Sequence, residues 1–198
     1  MFKRLPAYGL IAVFAAFEIA VLWLALHPDV PEDYRAYYID QSTTCLNQPV
    51  TGEYRLGQVI DFTASEGDLS KPFKACGWKG PSKEGTDAVG ETSRLRFIFP
   101  QTAPSLTLQF EAIAVDHPET PTQTVKVLAN GVPVGEVTID QSAPQNFKLA
   151  IPAEAIAAMP GRIELRFDYP EAFAPPGIAN TYKRSIKLLW ITLQPNPA

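Results

Sequence analysis

Thr124-Val125-Lys126-Val127-Leu128-Ala129-Asn130-Gly131-Val132-Pro133-Val134-Gly135-Glu136-Val137-Thr138-Ile139 reads as two strands joined by a tight turn. Asn130-Gly131 lies at the centre. Both residues of a two-residue hairpin loop need positive φ, and Asn-Gly is the pair that accepts it most readily. Thr124 to Ala129 is then one strand and Val132 to Ile139 the next.

The same period of two runs outward in both directions. Arg94 to Phe99 alternates Leu95, Phe97 and Phe99 with Arg96 and Ile98. Leu106 to Val115 alternates Leu106, Leu108 and Phe110 with Thr107, Gln109 and Glu111. Asn146 to Ile151 and Arg162 to Tyr169 follow the same pattern, and Arg35 to Asp40 and Tyr54 to Phe62 are also read as strands. Ser185 to Leu193 closes the set, with Ile186, Leu188, Trp190 and Thr192 on one face and Trp190 expected in the core. Pro152 to Met159 has room for one or two helical turns, closed by Pro160-Gly161. The 19 prolines scattered between these runs exclude many long helices. About nine strands result, which fits an all-β, antiparallel two-sheet sandwich of jelly-roll type. A lipocalin-like barrel fits less well, because the connections are long and uneven. Glu66 to Thr92 and Pro170 to Lys183 read as loops, where function tends to sit on a rigid sandwich.

The N-terminus differs in kind. Leu5 to Leu26 carries a single charge, Glu18. As a helix it spans roughly 33 Å, enough for a bilayer core. Lys3 and Arg4 precede it, and Asp29, Glu32 and Asp33 follow it. The positive-inside rule then puts the N-terminus in the cytoplasm and everything after His27 outside, with Trp23 near the outer interface. A cleaved signal peptide is the rival. Its apolar region would be shorter, and Trp23-Leu24-Ala25 puts a bulky residue where cleavage wants a small one. The expected organisation is a cytoplasmic tip and transmembrane anchor over 1–27, a linker over 28–33 and an extracytoplasmic sandwich over 34–198.

A carboxyl group near mid-membrane is costly unless neutral or partnered, so Glu18 points to a contact with an integral membrane protein subunit. The alternative is a protonated Glu18 tolerated in a single helix. Gly9, Ala12, Ala16 and Ala20 fall on one narrow stripe opposite Glu18, a surface on which a second helix could pack closely.

Net charge is −4 and no Lys/Arg run stands out, which argues against a nucleic-acid partner. Both cysteines, Cys45 and Cys76, fall on the outer side, where an even count implies one disulfide. Closing a segment of about 30 residues stabilises the fold by about 3–4 kcal/mol in the chain-entropy model. A metal site lacks ligands, since the only histidines are His27 and His117, and no cofactor is implied.

Catalytic signals are thin. Asp116-His117-Pro118 has no Gly-x-Ser-x-Gly elbow to serve. Glu84, Asp87 and Glu91 could supply paired carboxylates for a glycosidase, but they lie together in one Gly-rich loop. Calcium on Glu66 or Asp68 has no EF-hand-like spacing behind it. The expectation is a protein that is not an enzyme. Sugar binding needs an aromatic platform with polar groups at its edge, for which Trp78 with Glu84, and Tyr182 with Arg184, are the candidates. Tyr169 and Phe173 lie on the same late loop as Tyr182. Trp78 has a structural alternative, packing on the disulfide.

Four motifs occur in order: Tyr37-Tyr38-Ile39-Asp40; Cys76-Gly77-Trp78 with Glu84-Gly85, Gly90 and Leu95; Val125 to Gly131; and Arg184-Ser185-Ile186-Lys187-Leu188. Together they resemble an uncharacterised jelly-roll domain, itself like carbohydrate-binding modules, that is appended to bacterial membrane glycosyltransferases and other envelope-polysaccharide proteins. The resemblance covers most of residues 34–194. Three positions depart from it: Asp87 stands where that domain tends to have Trp, Tyr182 where it has Asp, and Lys187 where it has Gly. The resemblance therefore implies the scaffold more than the ligand. Two functions follow as expectations. The first is a non-catalytic, single-pass accessory subunit of a bacterial inner-membrane complex, with a cytoplasmic N-terminus and a periplasmic sandwich that contacts partner subunits. The alternative is a membrane-tethered module that binds envelope polysaccharide during its synthesis or export.

Overall fold

A computed structural model describes residues 5–50, 52–65, 67–100, 105–117 and 119–196. Lys3, Arg4 and Glu66, on which the topology and calcium readings rest in part, lie outside these residues. Helix α1, Leu5–Leu26, is long and apolar enough to cross a membrane, and its side chains from Tyr8 onward are exposed along its length. A short helix α2, Glu32–Tyr34, runs directly into a π-helical turn, Arg35–Ile39.

That turn replaces the strand expected over Arg35 to Asp40. Pro31 precedes the helix, and Glu32 and Asp33 put two carboxylates at its positive end. Tyr34 and Tyr38, four residues apart, bring their rings to 4.6 Å, a contact that an extended chain cannot make.

Ten strands follow among the described residues: β1 Ile60–Asp61, β2 Lys74–Cys76, β3 Thr86–Val89, β4 Thr92–Ile98, β5 Leu106–Ala114, β6 Thr122–Ala129, β7 Val132–Asp140, β8 Gln145–Ile151, β9 Arg162–Asp168 and β10 Arg184–Pro195. A helix α3, Ala153–Ala158, fills the helical stretch expected before Pro160. One sheet has the order β2-β4-β9-β6-β7. The other has β1-β10-β5-β8, with β3 also on β10, and every pairing is antiparallel. From β4 onward the chain changes sheet at every step except the β6–β7 hairpin. That alternation is the jelly-roll wrap, in which two sheets close over one core. The expected all-β sandwich is the fold observed.

The hairpin forms as read. Asn130 and Gly131 have φ of 48° and 83°. The Asn130 amide also donates to the carbonyl of Ala155 at 2.8 Å, fastening the turn to α3. Inward residues from both sheets meet in the core. Phe110 of β5 packs edge-on against Phe167 of β9 at 6.0 Å, and Phe97 of β4 stacks on Phe73 at 5.2 Å. All four rings are buried.

Two strand readings need correction. In β10 a bulge between Leu188 and Trp190 slips the alternation by one residue. Ile186 and Leu188 point inward before it, and Ile191 and Leu193 after it. Trp190 is thereby turned to the other face, half-buried and paired with Glu111 and Asp61. Of the strand expected over Tyr54 to Phe62, only Ile60–Asp61 forms. A turn closed by Gln58 N–H donating to the Arg55 carbonyl interrupts the rest. Conversely, the stretch from Glu66 to Thr92 read as loop contains β2 and β3, both too short to show a period.

Phe97 has no exposed surface. Phe97→Ala is expected to lower unfolding free energy by about 3–5 kcal/mol, as in other buried Phe deletions, measured by urea denaturation with an unchanged m-value.

Candidate functional site

Residues 40–50 belong to neither sheet, and no residue from 31 to 50 is fully buried. One covalent bond and several hydrogen bonds hold it. Cys45 is joined to Cys76 at the end of β2, with Cα atoms 4.7 Å apart. Gln48 N–H donates to the Ala75 carbonyl at 2.9 Å. The Thr44 hydroxyl donates to the Val89 carbonyl at 2.7 Å. The Arg96 guanidinium donates to the Asn47 side-chain carbonyl at 2.9 Å. The segment from Tyr37 to Gln48 is thereby strapped across the ends of β2 and β3.

Under this strap opens a cleft of about 470 Å³. Its walls carry Tyr37 and Tyr38 from the strap and Tyr182 from the loop before β10, and Trp78 forms part of the floor. Gly77 has φ of +73°, and a Cβ there would strike the backbone of Thr92 and Ser93, so only glycine lets the chain turn close to β4. That turn delivers Trp78. Its indole N–H donates to the Arg94 carbonyl at 3.1 Å, and its ring meets Phe62 at 5.9 Å and Phe167 at 6.0 Å. Trp78 therefore packs against the core and leaves one part of its ring to the cleft. Tyr182 is set by two backbone bonds, from its own N–H to Ala179 and from Gly90 N–H to Lys183. Tyr38 and Tyr182 are 53% and 54% exposed, and Tyr38 also touches the rings of Tyr34 and Tyr37.

The sequence candidates are regrouped. Trp78 shares its cleft with Tyr182, not with Glu84. Glu84 and Arg184 meet instead in a second cleft of about 580 Å³, together with Asp87, Asp116 and Lys187. There Lys187 is ion-paired to Glu84, and its hydrogen bond and charge hold that carboxyl below the usual glutamate range. Asp87 lies 3.7 Å from Lys79.

The remaining candidates have structural partners. Tyr169 is buried, and its hydroxyl is 2.6 Å from that of Ser93. Burial pushes its phenol well above the ordinary value. Phe173 packs edge-on against His117, whose Nδ1 accepts the N–H groups of Glu119 and Thr120. Glu91 pairs with Lys183. Burial pushes the Asp68 carboxyl up, but hydrogen bonds from Lys74 and Ser70 outweigh this and hold it low. Its contribution to stability is present above the unfolded-state value and fades as pH falls through the folded one. Among the described residues no three His, Cys, Asp or Glu side chains are grouped to hold a metal ion. On α1, Glu18 and the Gly9, Ala12, Ala16 and Ala20 stripe are all exposed.

Tyr37 and Tyr38 escape a sequence reading as site residues because their segment also fits a strand. Three tyrosines within five residues just after an apolar helix are the available signal.

No family model matches the chain, and no curated protein matches it. Solved structures of similar shape include carbohydrate-binding modules. The CBM36-1 domain of a multidomain xylanase from the hindgut metagenome of Trinervitermes trinervoides is 10% identical with a TM-score of 0.42, over 71% of this chain and 97% of that one. The C-terminal CBM6 of LamC, a marine laminarinase from Zobellia galactanivorans, is 8% identical with a TM-score of 0.38, over 69% and 98%. The C-terminal domain of EclA, a sugar-binding protein, is 9% identical with a TM-score of 0.37, over 54% and 68%.

The double variant Cys45→Ser/Cys76→Ser is expected to lose about 3–4 kcal/mol of stability in chemical denaturation, because 31 positions separate the bridged cysteines. Limited proteolysis should then cut between residues 40 and 50 while leaving β4–β10 intact.

Proposed function

We propose that this chain is a membrane-tethered, non-catalytic glycan-binding module acting where envelope polysaccharide is made or exported. The observation that carries the reading is the aromatic cleft. Tyr37, Tyr38 and Tyr182 come from segments far apart in sequence, and they converge over a Trp fixed from beneath. Sugar rings present C–H faces that pack on such aromatic faces, and their hydroxyls meet the polar rim formed by Gln41, Thr43 and Thr181.

The tether fits the same task. With α1 in a bilayer, residues 27–31 reach at most ~18 Å and the helical residues up to Tyr37 add ~9 Å, keeping the cleft within about 30 Å of the membrane surface. The linker is also folded back, since the Arg35 guanidinium donates to the Pro28 carbonyl at 2.8 Å. A disulfide suits the oxidising side of a bacterial inner membrane, which favours a periplasmic sandwich and a cytoplasmic N-terminus.

A second reading is favoured by α1 itself. Glu18 sits mid-helix with no partner in this chain among the described residues, opposite a stripe of small side chains. In that reading the protein is an accessory subunit docked on an integral membrane partner, and the two roles are compatible.

Titration of the full chain in nanodiscs with purified envelope polysaccharide tests the main reading. Tyr38→Ala and Tyr182→Ala should each weaken binding by about tenfold without moving the melting temperature, since both rings are largely solvent-exposed. Unchanged affinity in both variants would remove the cleft from consideration. For the second reading, native purification in mild detergent should recover the chain with integral membrane subunits, and Glu18→Leu should weaken that association. Migration as a lone chain in both forms would contradict it.

A further inference from the structure

We propose that the ligand is an uncharged glycan chain of several sugars, bound along its length, and that Gln41 reads it where two halves of one groove meet. The inference rests on the glycan-binding reading and makes it narrower. Beside the aromatic cleft lies a second hollow of about 430 Å³. Gln41, Thr43, Thr44 and Thr181 line both, so the two adjoin along these residues. The first half is aromatic. The second is lined by amides and hydroxyls, among them Ser42, Thr92 and Asn180. A single sugar would occupy one half, whereas a chain fills both.

The charges along the groove are already paired. Lys79 faces Asp87 at 3.7 Å, and Glu91 pairs with Lys183. A uronate would bring a second carboxylate beside a cation that already has one, and a neutral chain would not. Hydrogen-bonding capacity, by contrast, is free. The side chains of Gln41, Asn180 and Thr181 make no hydrogen bond among the described residues. An amide offers both donors and an acceptor to sugar hydroxyls.

Gln41 carries a further mark. Its φ is +48°, and Asn130 of the hairpin is the other non-glycine residue with positive φ among the described residues. Gln41 follows the π-helical turn at the left-handed position that glycine or asparagine ordinarily takes, and Ser42 N–H closes the turn onto the Ala36 carbonyl at 2.9 Å. Glycine would satisfy the backbone with less strain. A long amide held there, exposed and at the junction of the two halves, is explained by contact with something outside the chain.

The test uses the full-length protein in nanodiscs on an oligosaccharide array. The array is graded from monosaccharide to hexasaccharide, with neutral chains and their uronate counterparts side by side, followed by calorimetric titration of the best neutral series. Affinity should rise about tenfold or more between monosaccharide and tetrasaccharide, and neutral chains should exceed uronates by at least as much. Gln41→Gly keeps the backbone conformation, so its melting temperature should match the parent's, while affinity for the tetrasaccharide falls about tenfold and affinity for the monosaccharide hardly changes. Binding that is independent of length, that prefers uronates or that the Gln41→Gly variant leaves untouched would overturn this inference and leave the glycan-binding reading standing. No binding to any member of the array would overturn both.

Discussion

The covalent bond between Cys45 and Cys76 is where the chain that follows the apolar helix becomes part of a β-sandwich. Residues 31 to 50 are all exposed or half-exposed, so apolar burial does little to hold them against the sheets. The disulfide holds them instead, with hydrogen bonds beside it. On one side of the bond lies β2, which pairs with β4 and through it with the core. On the other lies the strap, with Tyr37, Tyr38 and Gln41. The groove exists because the bond closes one wall over the other. A chain lacking it would keep its sandwich and its apolar helix but carry the aromatic wall on a loose leash.

The two clefts differ in what lines them. Asp87 and Lys187 both line the second, where Lys187 is tied to Glu84. Tyr182 lies in the first. In the second cleft Lys187 and Glu84 satisfy one another, whereas the first offers exposed rings and free amides.

Much of the architecture was legible because a half-buried sheet writes itself as period two. Leu95 and Phe97, Leu106 to Phe110 and Ile163 to Phe167 all point inward where alternation put them. Asn130-Gly131 turned where turn chemistry required. Trp190 went astray because a bulge is a backbone event that leaves no trace in residue type, and a slip of one residue reverses a face. Tyr37-Tyr38 went astray because aromatic residues suit both strands and helices, and the Tyr34–Tyr38 contact decided the matter. The site was half legible. Trp78, Glu84, Tyr182 and Arg184 all line clefts, but their pairing depended on which loops the disulfide and the β3–β10 ladder draw together. That is tertiary information, and no local spacing carries it.

The central claim is that the strap groove, and no other surface, receives a glycan. Isotope-edited NMR of the full chain in nanodiscs, titrated with a neutral oligosaccharide selected for binding, tests it most directly. The account predicts saturating shift changes at Tyr37, Tyr38, Gln41, Thr181 and Tyr182, with the Trp78 indole N–H shifted but still hydrogen-bonded. Shifts confined to Glu84, Arg184 and Lys187, or to the half-buried Trp190 face, would contradict it.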